Sequence, residues 1–235
     1  MSETNKSERY SFFLIVISWS ALWGIFELTI GYLLHSISFA YGWLFWYPVA
    51  CFFMANAYRK TRRISSVLLV GSLCATIKML NMLLPGSIDR VLNPAISIVF
   101  ESLAMAVVLA AARGVSEIKL KNRFIGLLFV LGMNCLWRVL YVLYLLFLVP
   151  DWMLKISAIS SWEKFAQFFI TENLLTSAII SFGICLKAYI LKPIKSAERE
   201  LSNRLEAVPK TILPLFKTSS VLLLLSLNIF LQYIL

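Results

Sequence analysis

Apolar runs of membrane-crossing length recur along this chain with little else between them. A helix that spans a bilayer needs about 20 apolar residues. Seven stretches qualify, roughly 11–34, 40–57, 64–85, 91–112, 124–149, 167–191 and 213–235, of which the second is short. The runs are continuous and show no two-residue alternation, which excludes a transmembrane β-barrel. A soluble domain of this length could not hide side chains that are 60% hydrophobic, so the expected fold is all-α, a polytopic transmembrane helical bundle.

Loop charges set an expected orientation. Lys and Arg number 2 in residues 1–10, 4 in 58–63, 4 in 113–123 and 6 in 187–210. The alternate loops hold none in 35–40, Arg90 alone in 85–92, and Lys155 and Lys164 in 151–166. The positive-inside rule then predicts a multi-pass protein of the cytoplasmic (inner) membrane, with the N-terminus in the cytoplasm and the C-terminus outside. These loops also account for the net charge of +10, and no nucleic-acid partner is implied. The opening segment MSETNKSERY mixes both signs of charge, and the run after it is too long for a signal-peptide core. That run is expected to stay as the first span.

The organisation expected is a six-span membrane core over 1–191, a cytoplasmic amphipathic helix over 192–210, and an additional C-terminal span over 211–235. Ile194, Ala197, Leu201, Leu205 and Val208 recur at helical spacing within the middle segment, between Pro193 and Pro209. The loop 151–166 is rich in aromatics without being long enough to cross. Trp152 and Trp162 read there as headgroup-level anchors, or as part of a lid.

Five ionisable residues lie inside the apolar runs: Glu27, Lys78, Glu101, Arg138 and Glu172. A charge near the bilayer centre costs about 2.5–3.5 kcal/mol on insertion scales, so such residues normally face a partner or a wet cavity. The expected orientation puts all five between the midplane and the outer face, with Asn81 one turn beyond Lys78. Random intrusions would scatter between leaflets. A shared depth suits a purely structural charge network, a site for a small polar molecule, or an ion relay. Three carboxylates against two cations leave one carboxylate in excess, to be neutral or matched by a cationic ligand. Trp23 and Trp137 stand beside buried charges and are candidate walls for a flat heteroaromatic ligand. The candidate binding residues are therefore Glu27, Lys78, Glu101, Arg138, Glu172, Trp23, Trp137 and Asn81.

No catalytic constellation accompanies them. His35 is the single histidine, and there is no H-E-x-x-H, Walker A loop or G-x-S-x-G elbow. Cys51, Cys74, Cys135 and Cys185 form no CxxC pair, so neither metal, cofactor nor disulfide is expected. Glu27 or Glu172 as an intramembrane general base would lack a nucleophile or metal to work with. Ser20-x-x-x-Gly24 and Gly71-x-x-x-Ala75 are small-residue pairs that let helices approach closely.

The segments ALWGIFELTIGYLLH (21–35), CATIKMLNMLLPG (74–86) and NPAISIVFESLAMAVV (93–108) resemble the first, third and fourth spans of some substrate-binding S components of energy-coupling-factor (ECF) vitamin transporters. The likeness covers roughly residues 11–113. It implies a six-helix S-component-like core that takes a vitamin or related micronutrient from outside, within a complex of a transmembrane T component and two cytoplasmic ATPases. Glu27, Lys78 and Glu101 fall in the matching stretches. Ser20 and Gly24 are the nearest counterparts of the small residues that meet the T component. The seventh span departs from that six-span pattern. Together with the basic segment before it, it motivates the alternative of a non-transporting membrane scaffold.

Overall fold

The computed structural model describes residues 3–36, 41–83, 88–115, 122–186 and 213–234. The described residues hold helices and no strand. The longer helices are α1 (Glu3–Ser36), α2 (Trp43–Thr61), α3 (Ile64–Met79), α4 (Asp89–Arg113), α5 (Arg123–Leu148), α6 (Trp162–Cys185) and α7 (Leu213–Ile234), with a single turn over Asp151–Leu154 between α5 and α6. Five of them contain stretches long and apolar enough to cross a membrane: Glu8–Ile30, Val91–Arg113, Arg123–Leu148, Trp162–Cys185 and Pro214–Leu231. The amphipathic segment expected over 192–210 lies outside the described residues.

Several boundaries move from their expected positions for local reasons. α2 runs past residue 57 to Thr61, with Arg59 and Lys60 in its last turn, where cations complement exposed carbonyls. Arg62 ends it in the left-handed region (φ 56°), its N–H bonding the Tyr58 carbonyl at 2.7 Å. The turn into α3 is then closed by side chains: the Thr61 hydroxyl meets Ser66 Oγ at 2.8 Å, and Ser66 Oγ reaches the Arg63 carbonyl at 2.7 Å. α3 tightens into a 3₁₀ turn over Leu80–Leu83. α5 starts where Asn122 Oδ1 accepts the Phe124 N–H at 2.9 Å.

α6 begins earlier than the apolar run suggests. Ser161 caps it by accepting the Lys164 N–H at 3.2 Å, and a π turn over Gln167–Thr171 joins its first turn to the segment Glu172–Cys185. Residues 162–166 of the aromatic loop thus belong to a helix, with Trp162 77% exposed at its start.

Helices α1, α3, α4, α5, α6 and α2 contact one another in that order around a closed ring, and α2 also reaches α3 and α4. α7 packs on α1. In lipid, apolar side chains gain little by leaving their surroundings, so close packing must hold such helices together. Gly71 shows how close: a Cβ there would lie 2.3 Å from Ser102 Cβ, so only glycine lets α3 and α4 approach as they do. Trp23, Met54, Val67, Val70 and Ala104 fill the interior, while Phe147, Phe182 and Leu223 face outward, as in a lipid-bathed bundle.

Candidate functional site

Two partly buried ion pairs form between neighbouring helices of the ring. On one side, Glu27 of α1 meets Lys78 of α3, with Nζ 3.7 Å from Oε2. One helical turn before Glu27, Trp23 donates its indole N–H to Oε1 at 3.3 Å and stacks on Phe53 of α2 with ring centroids 6.3 Å apart. The spacing of four residues puts Trp23 and Glu27 on one face of α1, turned to α2 and α3.

On the other side, Arg138 of α5 pairs with Glu172 of α6, Nη1 to Oε2 at 3.4 Å. Its guanidinium lies over the Trp137 ring, with Cζ 4.6 Å from the centroid, and over the Phe168 ring at 4.5 Å. Both contacts are of cation–π type. The π turn contributes here: Phe168 lies within it, Glu172 follows it, and Gln167 Nε2 steadies Glu172 Oε1 at 3.4 Å. Single π turns of this kind recur at functional sites, because the extra residue per turn re-aims the side chains beside it.

A polar network fixes the α5–α6 contact one turn away. Asn134 Nδ2 reaches the Asn173 carbonyl at 3.0 Å and Ser177 Oγ at 2.9 Å, and it also meets Thr176 Oγ1. Asn134 Oδ1 accepts the Trp137 indole N–H at 2.7 Å, which sets the ring that underlies Arg138.

Glu101, on α4, is the third carboxylate. Its side chain is buried, and it lies within electrostatic reach of both Glu27 and Arg138. Unlike the other two carboxylates, it has neither a salt bridge nor a hydrogen bond among the described residues. Tyr47 of α2 joins the same locus, within electrostatic reach of Glu101 and Arg138 and with its ring 5.4 Å from Trp137. Arg138 Nε is buried without a hydrogen-bond partner, and the buried Tyr47 Oη has only the Cys51 thiol, one turn on, beside it.

Four of the five charges named from the sequence form two ion pairs, one joining α1 to α3 and one joining α5 to α6, and Glu101 of α4 lies within electrostatic reach of both. Trp23 bonds Glu27 of the first pair, and Trp137 lies under Arg138 of the second. Asn81 lies in the 3₁₀ turn, and its side chain is outside the described residues. Tyr47, Phe168 and the Asn134 network add to the site. Tyr47 had no charged neighbour in sequence to mark it, and Phe168 acquires its role only through the π turn.

Ser20 and Gly24, the expected partner-facing residues, lie at a contact inside this chain. Both are buried within this chain, and Ser20 Oγ bonds the Val16 carbonyl of its own helix at 2.8 Å. A Cβ on Gly24 would lie 2.7 Å from Asn228 Oδ1 of α7 and 3.1 Å from Ile77 of α3. The chain's own last helix occupies the close-approach face of α1.

Among the described residues no cluster of His, Cys, Asp and Glu has a geometry that would hold a metal ion. The chain matches no family model, no curated protein and no solved structure.

Proposed function

We propose that this protein is a membrane solute-binding subunit that captures a small polar molecule from the external face. The observation that carries the reading is Glu101, a buried carboxyl with no salt bridge or hydrogen bond among the described residues, within electrostatic reach of Arg138, whose buried Nε also lacks a hydrogen-bond partner. A network built only to hold helices together would be expected to satisfy its members, because a buried unpaired group costs about 1–3 kcal/mol, and more when charged. Spare bonding capacity gathered at one place suits a ligand.

The proposed topology has seven spans, with the N-terminus inside and the C-terminus outside. α2 has 19 residues, about 28 Å at 1.5 Å per residue. α3 is extended by its 3₁₀ turn to a comparable length. Arg59, Lys60, Arg62, Arg63, Arg113 and Arg123 belong to the end of the bundle opposite the shared site, which favours a cytoplasmic location for that end. The membrane is proposed to be the cytoplasmic one.

ECF-type import of a vitamin or precursor, with a T component and an ATPase pair, is the transport mode suggested by the resemblance in α1, α3 and α4. It carries one structural requirement. A partner helix reaches Gly24 only where α7 moves aside or the partner docks elsewhere.

A thermal-shift screen of small polar solutes on purified protein tests the binding reading. A ligand that stabilises the wild type and not Glu101→Gln supports it. A folded protein that responds to no solute in a broad micronutrient panel contradicts it.

A further inference from the structure

A concentration of positive charge at the corner between α2 and α3 plays no part in the solute-binding reading. Arg59, Arg62 and Arg63 lie within residues 59–63, and the last two are exposed. None of the three has an ion pair among the described residues. Glu8 is the one acidic side chain described at that end of the bundle, and it is exposed and without an ion pair among the described residues. Arg62 also stands apart in its backbone, as the one non-glycine residue described with a positive φ, 56°. Glycine takes that left-handed conformation freely, whereas a residue with a Cβ pays a steric cost. Strain of this sort persists where the side chain has work to do.

The neighbours of Arg63 set its level. Its guanidinium packs over the Phe12 ring of α1, with Cζ 5.3 Å from the centroid. Phe12 lies one turn inside the start of Glu8–Ile30, a stretch long and apolar enough to cross a membrane. Arg63 is therefore held where the polar turn meets the apolar span, which is the level of lipid headgroups. Aromatic rings continue beyond it on α1 and α2. The exposed Phe13 meets Phe12 edge-on at 5.5 Å, and the exposed Phe52 meets Trp19 at 6.3 Å.

We propose that the α2–α3 corner binds the phosphate of an anionic phospholipid through Arg62 and Arg63, with Arg59 adding charge and the acyl chains lying along Phe13, Trp19 and Phe52. Guanidinium groups present paired donors that fit phosphate oxygens. Basic groups at the membrane surface attract anionic lipid in this way. A phospholipid satisfies both the arginines and the rings beyond them. A soluble phosphate or an acidic peptide satisfies the arginines alone.

The full chain in detergent is titrated with phosphatidylglycerol, phosphatidylcholine, glycerol 3-phosphate and a polyglutamate peptide, and adducts are followed by native mass spectrometry. The wild type is compared with Arg62→Gly, Arg63→Gln and Arg123→Gln, the last removing one charge from the same end on α5, which does not neighbour α2 or α3 in the ring. Phosphatidylglycerol is expected to bind about tenfold more tightly than phosphatidylcholine, because only its headgroup carries a net charge for the arginines. Arg62→Gly and Arg63→Gln should each weaken it several-fold, and Arg123→Gln should stay close to the wild type. Without lipid, Arg62→Gly should unfold at no lower temperature than the wild type, since glycine relieves the backbone. Phosphatidylglycerol that binds no more tightly than phosphatidylcholine overturns the proposal, as does an equal loss in Arg123→Gln, which would mark a diffuse attraction. Glycerol 3-phosphate binding as tightly as the lipid would make this a soluble-phosphate site, and tighter binding of polyglutamate would make it a protein-docking surface. Either result contradicts a lipid site. So does an Arg62→Gly chain that unfolds at lower temperature without lipid, because Arg62 would then serve the fold itself.

Discussion

Asn228 of α7 donates a side-chain N–H to the backbone carbonyl of Ala21 in α1 at 2.8 Å, joining helices 207 residues apart in sequence. The contact is possible because Gly24, one turn on, has no side chain to keep Asn228 away. Tyr10 adds a second tie, bonding Thr218 and the Pro214 carbonyl at the other end of the helix pair. Gly24→Val should therefore push α7 off α1. A pair of cysteines introduced by Tyr10→Cys and Thr218→Cys should be joined by a short bis-maleimide in an otherwise native chain, and several-fold less with Gly24→Val added. Equal yields in both backgrounds would mean that α7 is held by something other than this face.

The α3–α4 contact makes a sharper demand on Gly71. A methyl group there would overlap Ser102 Cβ at 2.3 Å and Ser102 Oγ at 2.5 Å. Ser102 is fully packed and cannot swing clear, so the helices themselves must part. Overpacking of this kind typically costs about 1–3 kcal/mol. Gly71→Ala should lower the thermal midpoint in detergent, whereas Gly126→Ala, with no heavy atom within 4 Å of the added methyl, should leave it unchanged.

How far these relationships could be read beforehand differs from residue to residue. Glu27, Lys78, Glu101, Arg138 and Glu172 stood out because a charge in an apolar run has few explanations. Trp23 was legible with Glu27, since four residues make one helical turn. Which carboxylate met which cation was not legible, because pairing depends on the order of helices around the ring, and no local pattern encodes that order. The π turn that aims Phe168 and Glu172 at Arg138 left no mark in hydropathy. The role of Gly24 was read as a close-approach position, and that much follows from its lack of a side chain. The identity of the approaching helix required knowing where α7 lies. The moved ends of α2 and α6 depended on Arg62, which adopts a left-handed conformation, and on Ser161, which caps a helix inside a stretch that reads as loop.

Arg138 and Glu172 should be unequal partners to lose. Arg138→Ala leaves the partly exposed Glu172 without its cation and removes the group packed over the Trp137 and Phe168 rings, so it should lower the unfolding midpoint most of the three. Arg138→Lys keeps the charge but gives up the flat stacking over Trp137 and Phe168, so it should be intermediate. Glu172→Gln retains a hydrogen-bond acceptor and should cost less than Arg138→Ala. Chemical or thermal unfolding of the three variants would order them, and a stable Arg138→Ala would show that the pair contributes little to the fold.

Asn134 should be intolerant of an isosteric apolar change. Asn134→Leu leaves Ser177 and Thr176 without their shared donor and frees the Trp137 indole N–H. The expected loss is about 1–3 kcal/mol per stranded group. Fluorescence of Trp137, compared with a Trp137→Phe control, should report a more mobile ring. An unchanged spectrum and midpoint would show that the network does not set the wall of the site.

The proposed orientation predicts opposite labelling of two positions. With Cys135 and Cys185 replaced, Arg62→Cys should react with a membrane-impermeant maleimide only after the cells are opened. Trp162→Cys, at the start of α6 and strongly exposed, should react in intact cells. The reverse pattern would invert the topology and move the shared site to the cytoplasmic half.

On the proposed function, a solute is held around Glu101, between the helices that carry the two ion pairs. Native mass spectrometry of protein released from its own membranes, beside folded Glu101→Gln, tests it most directly. A discrete small-molecule adduct on the wild type that is missing from Glu101→Gln is the predicted result. The same adduct on both proteins, or none on a folded wild type supplied with its growth medium, would contradict it.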